Sequence, residues 1–303
     1  MNRSQNTSHA PVAIAVARNG AGKQINGLLG RVGWRTTIVL VWALALFSVL
    51  LLVWIFLSSF KTTTELFNHP FALPQEWRLD NFTAAWNASN FGVALTNSVV
   101  LVLATGLTTV VLAAPAAYAL SRFGVVGSRP LTMAFALGVG IPVQVIVLPL
   151  YRLMSDLYLV NTLEGVWLLY VATSLPFAVF FLTGFFVSLP KEMEEAASLD
   201  GAGPVRTFTS IMLPLARSGI VTLLILNIIS HWGETIIALV FLQSTELETL
   251  PLALLKFLQR LQYTGADWGQ LFAGVAIVIG PVLLLYLWLG RRIIEGLTLG
   301  ADR

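Results

Sequence analysis

Asn227, His231 and Glu234 place an amide, an imidazole and a carboxylate at spacings of four and three inside an apolar run. On a helix these spacings share one face. Polar groups at membrane depth are costly and mark functional positions by default. Three chemistries fit: hydrogen-bonding the hydroxyls of a sugar, relaying protons, or tying helices together. Gln144, between Pro142 and Pro149, is a second candidate: an amide at a kink that faces a pathway, or one that bonds a carbonyl freed by proline. Catalysis has no comparable pattern. His9, His69 and His231 are far apart, and cysteine is absent, so neither a structural zinc site nor a disulfide framework is expected. No Gly-x-x-x-x-Gly-Lys-Ser/Thr run occurs, so the chain is expected to bind no ATP itself and to carry no cofactor.

These residues need elements to hold them. The chain has 303 residues, 56% hydrophobic and only 11% charged, with mean hydropathy +0.80. Soluble domains carry about 25% charged residues, so this is an integral membrane protein. A span needs roughly 20 apolar residues. Six stretches qualify: 36–57, 94–119, 130–151, 166–187, 218–242 and 269–290. Pro115, Pro142, Pro176 and Pro281 fall inside them, which a helical bundle tolerates. Glu234 is the only carboxylate well inside any of the six. With these spans, 13 of the 18 Lys and Arg fall on one side and 5 on the other. The positive-inside rule then puts both termini in the cytoplasm. The net charge of +3 is a topology feature, and no nucleic-acid partner is expected. Residues 1–35 lack an h-region long enough for a signal peptide and read as a mostly disordered cytoplasmic tail. Residues 36–290 form the transmembrane domain, with its core at 94–290, and 291–303 a cytoplasmic tail. Leu250 to Leu261 reads as an interfacial helix in the last external loop.

Between the fourth and fifth spans lies a polar insert, 190–214, which cannot sit in lipid. Pro190 suits the start of a helix. Glu192, Glu194 and Glu195 crowd its first turns, where the helix dipole favours negative charge. Met193, Ala196 and Ala197 make one small apolar face, and Gly201 is a natural stop. Pro204 opens a second short helix, with Val205, Phe208 and Ile211 or Met212 on one side, and Pro214 closes it. The product is a helix–turn–helix knob with small residues at its tip. By spacing alone, an amphipathic loop lying on the bilayer fits about as well, but acidic first turns disfavour an anionic leaflet.

The run Glu195-Ala196-Ala197-Ser198-Leu199-Asp200-Gly201-Ala202, followed by Phe208, Ile211 and Pro214, resembles the EAA motif of membrane subunits of binding-protein-dependent ABC importers. Ser59-Phe60-Lys61-Thr62, Glu65-Leu66-Phe67, Pro74, Asn81-Phe82 and Asn97-Ser98 are similar to the carbohydrate-type permeases of that family. Arg291-Arg292-Ile293-Ile294-Glu295-Gly296-Leu297-Thr298 is similar to the tail of the smaller membrane subunit of maltose importers. The resemblance implies an all-α fold of about six transmembrane helices, with a cytoplasmic coupling helix–turn–helix between spans four and five. It implies a permease subunit that passes a di- or oligosaccharide across the bacterial or archaeal cytoplasmic membrane. The partners would be a second homologous permease, two cytoplasmic ATPases binding ATP and Mg, and an extracytoplasmic sugar-binding protein that meets the loop 243–268. Glu195, Ala196, Ala197, Asp200, Gly201 and Phe208 would couple to the ATPase, with Gly296 to Gly300 reaching it as well. By their residue types, Asn227, His231, Glu234 and Gln144 are candidates to line the pathway, or to tie helices together. Related permeases carry Trp-Asn-Glu or Trp-Asn-Asp where this chain has Trp232-Gly233-Glu234. A proton-coupled secondary transporter using Glu234 and His231, or a membrane subunit with no transport role, are the alternatives.

Overall fold

Lipid offers no hydrogen bonds, so an apolar chain must satisfy its backbone internally, and helices do this residue by residue. The computed structural model describes the backbone of residues 12–124, 127–265 and 267–298, and the side chains of these except 12–33, 262, 264, 289 and 291–298. All regular structure among the described residues is helical. In chain order the helices are α1 (Val12–Ser58), α2 (Thr63–Asn68), α3 (Asp80–Ala88), α4 (Phe91–Arg122), α5 (Ser128–Val139), α6 (Val143–Asp156), α7 (Leu163–Ser188), α8 (Glu192–Leu199), α9 (Pro204–Thr207), α10 (Leu213–Leu215), α11 (Arg217–Trp232), α12 (Ile236–Phe241), α13 (Leu250–Thr264) and α14 (Trp268–Thr298). A π-helical turn, Phe208–Met212, joins α9 to α10.

The chain divides into two units, residues 1–57 and 58–303. The first is α1. Its apolar stretch is exposed all round from Trp34 to Leu51, as suits a helix meant for lipid or for another subunit. The helix begins at Val12, inside the tail expected to be disordered. No proline interrupts 12–58, so nothing stops the helix from extending backward. Residues 1–11 lie outside the described residues.

In the second unit, α4, α7 and α14 match three expected spans, and Trp34–Ser58 matches the first. The other two expectations need correction. The stretch 130–151 is two helices, α5 and α6, bent by 100° at Gly140-Ile141-Pro142. Pro142 lacks an N–H and forces the preceding residue away from helix; Pro115, Pro149, Pro176 and Pro281 stay inside helices. The stretch 218–242 also breaks, into α11 and α12 at residues 233–235. Among the described residues, four helices are long and apolar enough to cross a membrane, or up to six if each bent pair is one span. The second bent pair is residues 204–215 with α11, at 71°.

Helices α4 and α7 form the central pair. Thr105, Thr109, Ala113 and Ala117 of α4 are buried, and such small residues allow the close approach that drives packing in membranes. Gly106 shows the limit: a Cβ there would come within 2.7 Å of the Leu224 side chain on α11. At the end of the bundle that carries the insert, Phe185, Phe186, Met212 and Leu223 close one apolar cluster. At the opposite end, polar side chains fasten the loops. Asn97 Nδ2 donates to the carbonyls of Glu246 and Glu248, and Ser98 Oγ accepts from the Leu250 N–H at 2.7 Å. The expected interfacial helix is α13. It buries Leu250, Ala253, Phe257 and Leu261 against the protein, so it is docked and not free on a bilayer.

Candidate functional site

The insert folds as two short helical pieces. Helix α8 ends in a Schellman turn: the Gly201 N–H donates to the Ser198 carbonyl at 3.1 Å and the Ala202 N–H to the Ala197 carbonyl at 2.9 Å. Gly201 has φ +74°, where glycine is favoured over any residue with a Cβ. A Cβ built there meets nothing within 4 Å, so the space in front of the turn is open. Ala197 is buried beneath α8, while Glu195, Ala196 and Asp200 are exposed. Leu199 at the tip is 90% exposed and Val205 across the turn 76%.

The second piece turns inward. Phe208 packs on Tyr118 at a ring separation of 5.0 Å and on Phe186 at 6.4 Å. It anchors the knob to α4 and α7 and is not on the open face with Glu195, Ala196, Asp200 and Gly201. Val205 is exposed and does not share one side with Phe208 and Ile211 or Met212 as its spacing suggests; Thr207, Phe208, Ile211 and Met212 face inward. A π-helical turn begins at Phe208, and its wider pitch changes the register only of the side chains that follow it.

The intramembrane residues are gathered differently from their sequence spacing. Asn227 and His231 lie on α11, but the helix stops at Trp232, so Glu234 is past the break. Its carboxylate accepts from the Ile237 N–H at 2.9 Å, the Ala238 N–H at 3.3 Å and the Tyr170 hydroxyl at 2.8 Å. It therefore caps α12 and pins it to α7. Gly233 lets this happen, being a poor helix former that leaves room for the carboxylate to take over the first N–H groups of α12. The Tyr170 ring stacks on His231 at 4.5 Å and 20°. Ser174 Oγ donates its one proton to the Tyr170 carbonyl at 2.7 Å and lies 2.6 Å from His231 Nε2. His231 Nε2 is thus the donor to Ser174, which leaves Nδ1 as an acceptor. Nδ1 has no hydrogen-bond partner among the described residues, nor has Oδ1 of Asn227, one turn away. Two buried acceptors on one face suit a donor-rich ligand such as a polyol, or donors from another helix.

Gln144 does not join this cluster. It is exposed on α6 beside Val145 and Leu148, which are exposed as well. Sequence reasoning did not single out Tyr170 and Ser174; their spacing of four in an apolar span was the available sign. Arg122 entered only as a charge to be counted, although its side chain is 5% exposed.

The family described as binding-protein-dependent transport system inner membrane component matches residues 109–297. The chain belongs to this permease family. The matched segment holds the knob and the Tyr170–His231–Glu234 seam together. Among relatives, the diacetylchitobiose uptake system permease of Streptomyces coelicolor is 36% identical over 86% of this chain and 87% of its own. The trehalose transport system permease of Mycobacterium tuberculosis is 34% identical over 88% and 96%. A crystal structure of a bacterial ABC transporter involved in alginate import superposes with a TM-score of 0.73 at 21% identity, over 95% of this permease and 99% of that chain. That likeness is one of fold. The permease family is one of transport and not of catalysis, and the chain is a membrane subunit of an ABC importer. Its tail continues as α14 to Thr298, while residues 299–303 lie outside the described residues, as do the side chains from Arg291 onward.

Proposed function

We propose that this permease moves a di- or oligosaccharide across the cytoplasmic membrane, driven by ATP hydrolysis on separate subunits docked at α8. The observation that carries this reading is the open tip of the knob. Leu199 is 90% exposed beside a glycine turn with free space in front of it, and the chain has no phosphate-cradling loop. The exposed Leu199 and Val205 at this tip form an apolar patch that a groove on a soluble partner would cover. Glu195, Ala196, Asp200 and Gly201 shape that contact, and Phe208 and the buried Ala197 hold it to the bundle. Two permeases, two ATPases carrying ATP and Mg, and an external sugar-binding protein complete the assembly, with both termini of this chain inside. Binding of nucleotide favours one of two arrangements, and this difference in affinity moves the membrane helices.

The sugar class rests on the relatives named for diacetylchitobiose and trehalose. The unpaired acceptors on Asn227 and His231 provide hydroxyl-binding chemistry next to the α7–α11 seam. A proton-coupled mechanism has less support, because both oxygens of Glu234 are engaged in capping α12 and bonding Tyr170. Affinity capture in mild detergent tests the docking role. The unmodified chain recovers an ATPase, and Gly201→Asp loses it; normal recovery with that substitution refutes the assignment of the knob. Uptake of labelled trehalose and diacetylchitobiose into reconstituted vesicles tests the cargo.

A further inference from the structure

We propose that Arg122 is the positioning residue that locks α8 to the ends of α4 and α7, so that a push on the knob moves both helices. This rests on the docking role given to α8 above. Arg122 is the last residue of α4. Its Nη2 donates to the Phe186 and Leu189 carbonyls, both at 2.7 Å. Its Nε lies 3.4 Å from Glu194 Oε2 on the first turn of α8, an ion pair without the direction of a hydrogen bond. One planar guanidinium thus meets three segments at once: the last turn of α7, the linker to the knob, and α8 itself. Carbonyls at a helix end have no partner within the helix, and a buried donor fork fixes their position as a mobile water would not.

The surroundings make the lock stiff. The Arg122 side chain is 5% exposed and that of Glu194 20%. One turn back on α4, Tyr118 sits edge-on to Phe186 at 5.5 Å and tilted over Phe208 at 5.0 Å. Helix α4 therefore grips both pieces of the knob, α8 through Arg122 and the π-helical turn through Tyr118. Only residues 189–191 separate α7 from α8. Displacement of the exposed tip cannot be absorbed in that linker without breaking the guanidinium contacts, so it passes into α4 and α7. Helix α7 carries Tyr170 and Ser174, the partners of Glu234 and His231. Arg122 thereby links the knob to the seam where α11 and α12 are held.

The chain has no cysteine, so introduced cysteines can be labelled selectively. The assembled complex, captured with its own ATPases and placed in nanodiscs, carries spin labels at Glu192→Cys on α8 and Leu112→Cys on α4. With native Arg122, the label distance stays single and narrow with and without Mg-ATP. With Arg122→Met, Mg-ATP splits or broadens it. A fluorophore at Tyr158→Cys, beyond α6, reports motion at the far end; its response relative to ATP hydrolysed falls roughly fivefold or more in Arg122→Met. Glu194→Gln leaves the two carbonyl contacts in place and tests the α4–α8 tie alone if Arg122→Met fails to assemble. Broadening in Glu194→Gln supports the lock. An unchanged narrow distance and an unchanged Tyr158 response in either assembled variant overturn it. A native chain that recovers no ATPase overturns the docking role, and the lock with it; recovery with unperturbed variants overturns the lock only.

Discussion

Glu234 illustrates how one residue type can read as chemistry and act as structure. A carboxylate at membrane depth suggests a proton site, yet here it accepts from two N–H groups and a tyrosine hydroxyl. Glu234 is partly buried, and leaving a buried partner unsatisfied costs about 1–3 kcal/mol, less where water can reach it. Glu234→Ala should therefore lower stability in detergent by about that amount, measured by thermal unfolding, because α12 loses its cap and Tyr170 its acceptor. Glu234→Gln keeps an acceptor for the Tyr170 hydroxyl and should retain most transport; complete loss of transport with a folded protein would favour the proton reading. Ser174→Ala leaves His231 Nε2 without its acceptor and should cost about 1 kcal/mol, read in the same melting assay.

At the scale of elements, the knob is a short helix whose own propensity cannot hold it, since isolated helices below about 12 residues are marginal in water. A local cap, the Schellman turn at Gly201, and two tertiary contacts, the buried Ala197 and Arg122 on Glu194, hold α8. Gly201→Ala places a Cβ in left-handed backbone at a cost of roughly 1–2 kcal/mol. It should weaken ATPase recovery by about tenfold for each 1.4 kcal/mol, less severely than Gly201→Asp, as measured by titrating the captured partner. Leu199→Asp leaves the turn geometry intact and puts a charge on the exposed tip. It should abolish recovery without lowering the melting temperature, which separates contact from folding.

For the whole molecule, the distribution of charge makes a directional claim. If both termini are inside, Ser198→Cys on α8 should react with a membrane-impermeant maleimide only in inside-out vesicles. Tyr158→Cys, in the loop after α6, should react only in right-side-out ones. Equal labelling from one side would require a different number of crossings. Exposed apolar faces, among them those on α1 and on α5–α6, mark where lipid or a second membrane subunit must cover the chain, because exposed apolar surface of that extent does not face water.

Much of this was legible from residues alone. Long apolar runs require helices, because lipid leaves no other way to satisfy the backbone; α4, α7 and α14 follow. The Gly201 stop was legible because few residues tolerate positive φ. The EAA-like run, by its residues alone, resembles the family to which the chain belongs. What the sequence could not decide was where a polar side chain would find its partner. Glu234 reads as sharing a face with Asn227 and His231, but the helix ends at Trp232, two residues before it, at Gly233. Pro142 reads like Pro115 and Pro176, yet only the first breaks its helix, since neighbouring packing determines whether a lost hydrogen bond is tolerated. Arg122 is one basic residue among eighteen until the fold brings the Phe186 and Leu189 carbonyls and Glu194 to it. Periodicity and composition are local and set the elements; the pairings that give those elements a function link residues about 60 to 70 positions apart, and only tertiary packing brings them together.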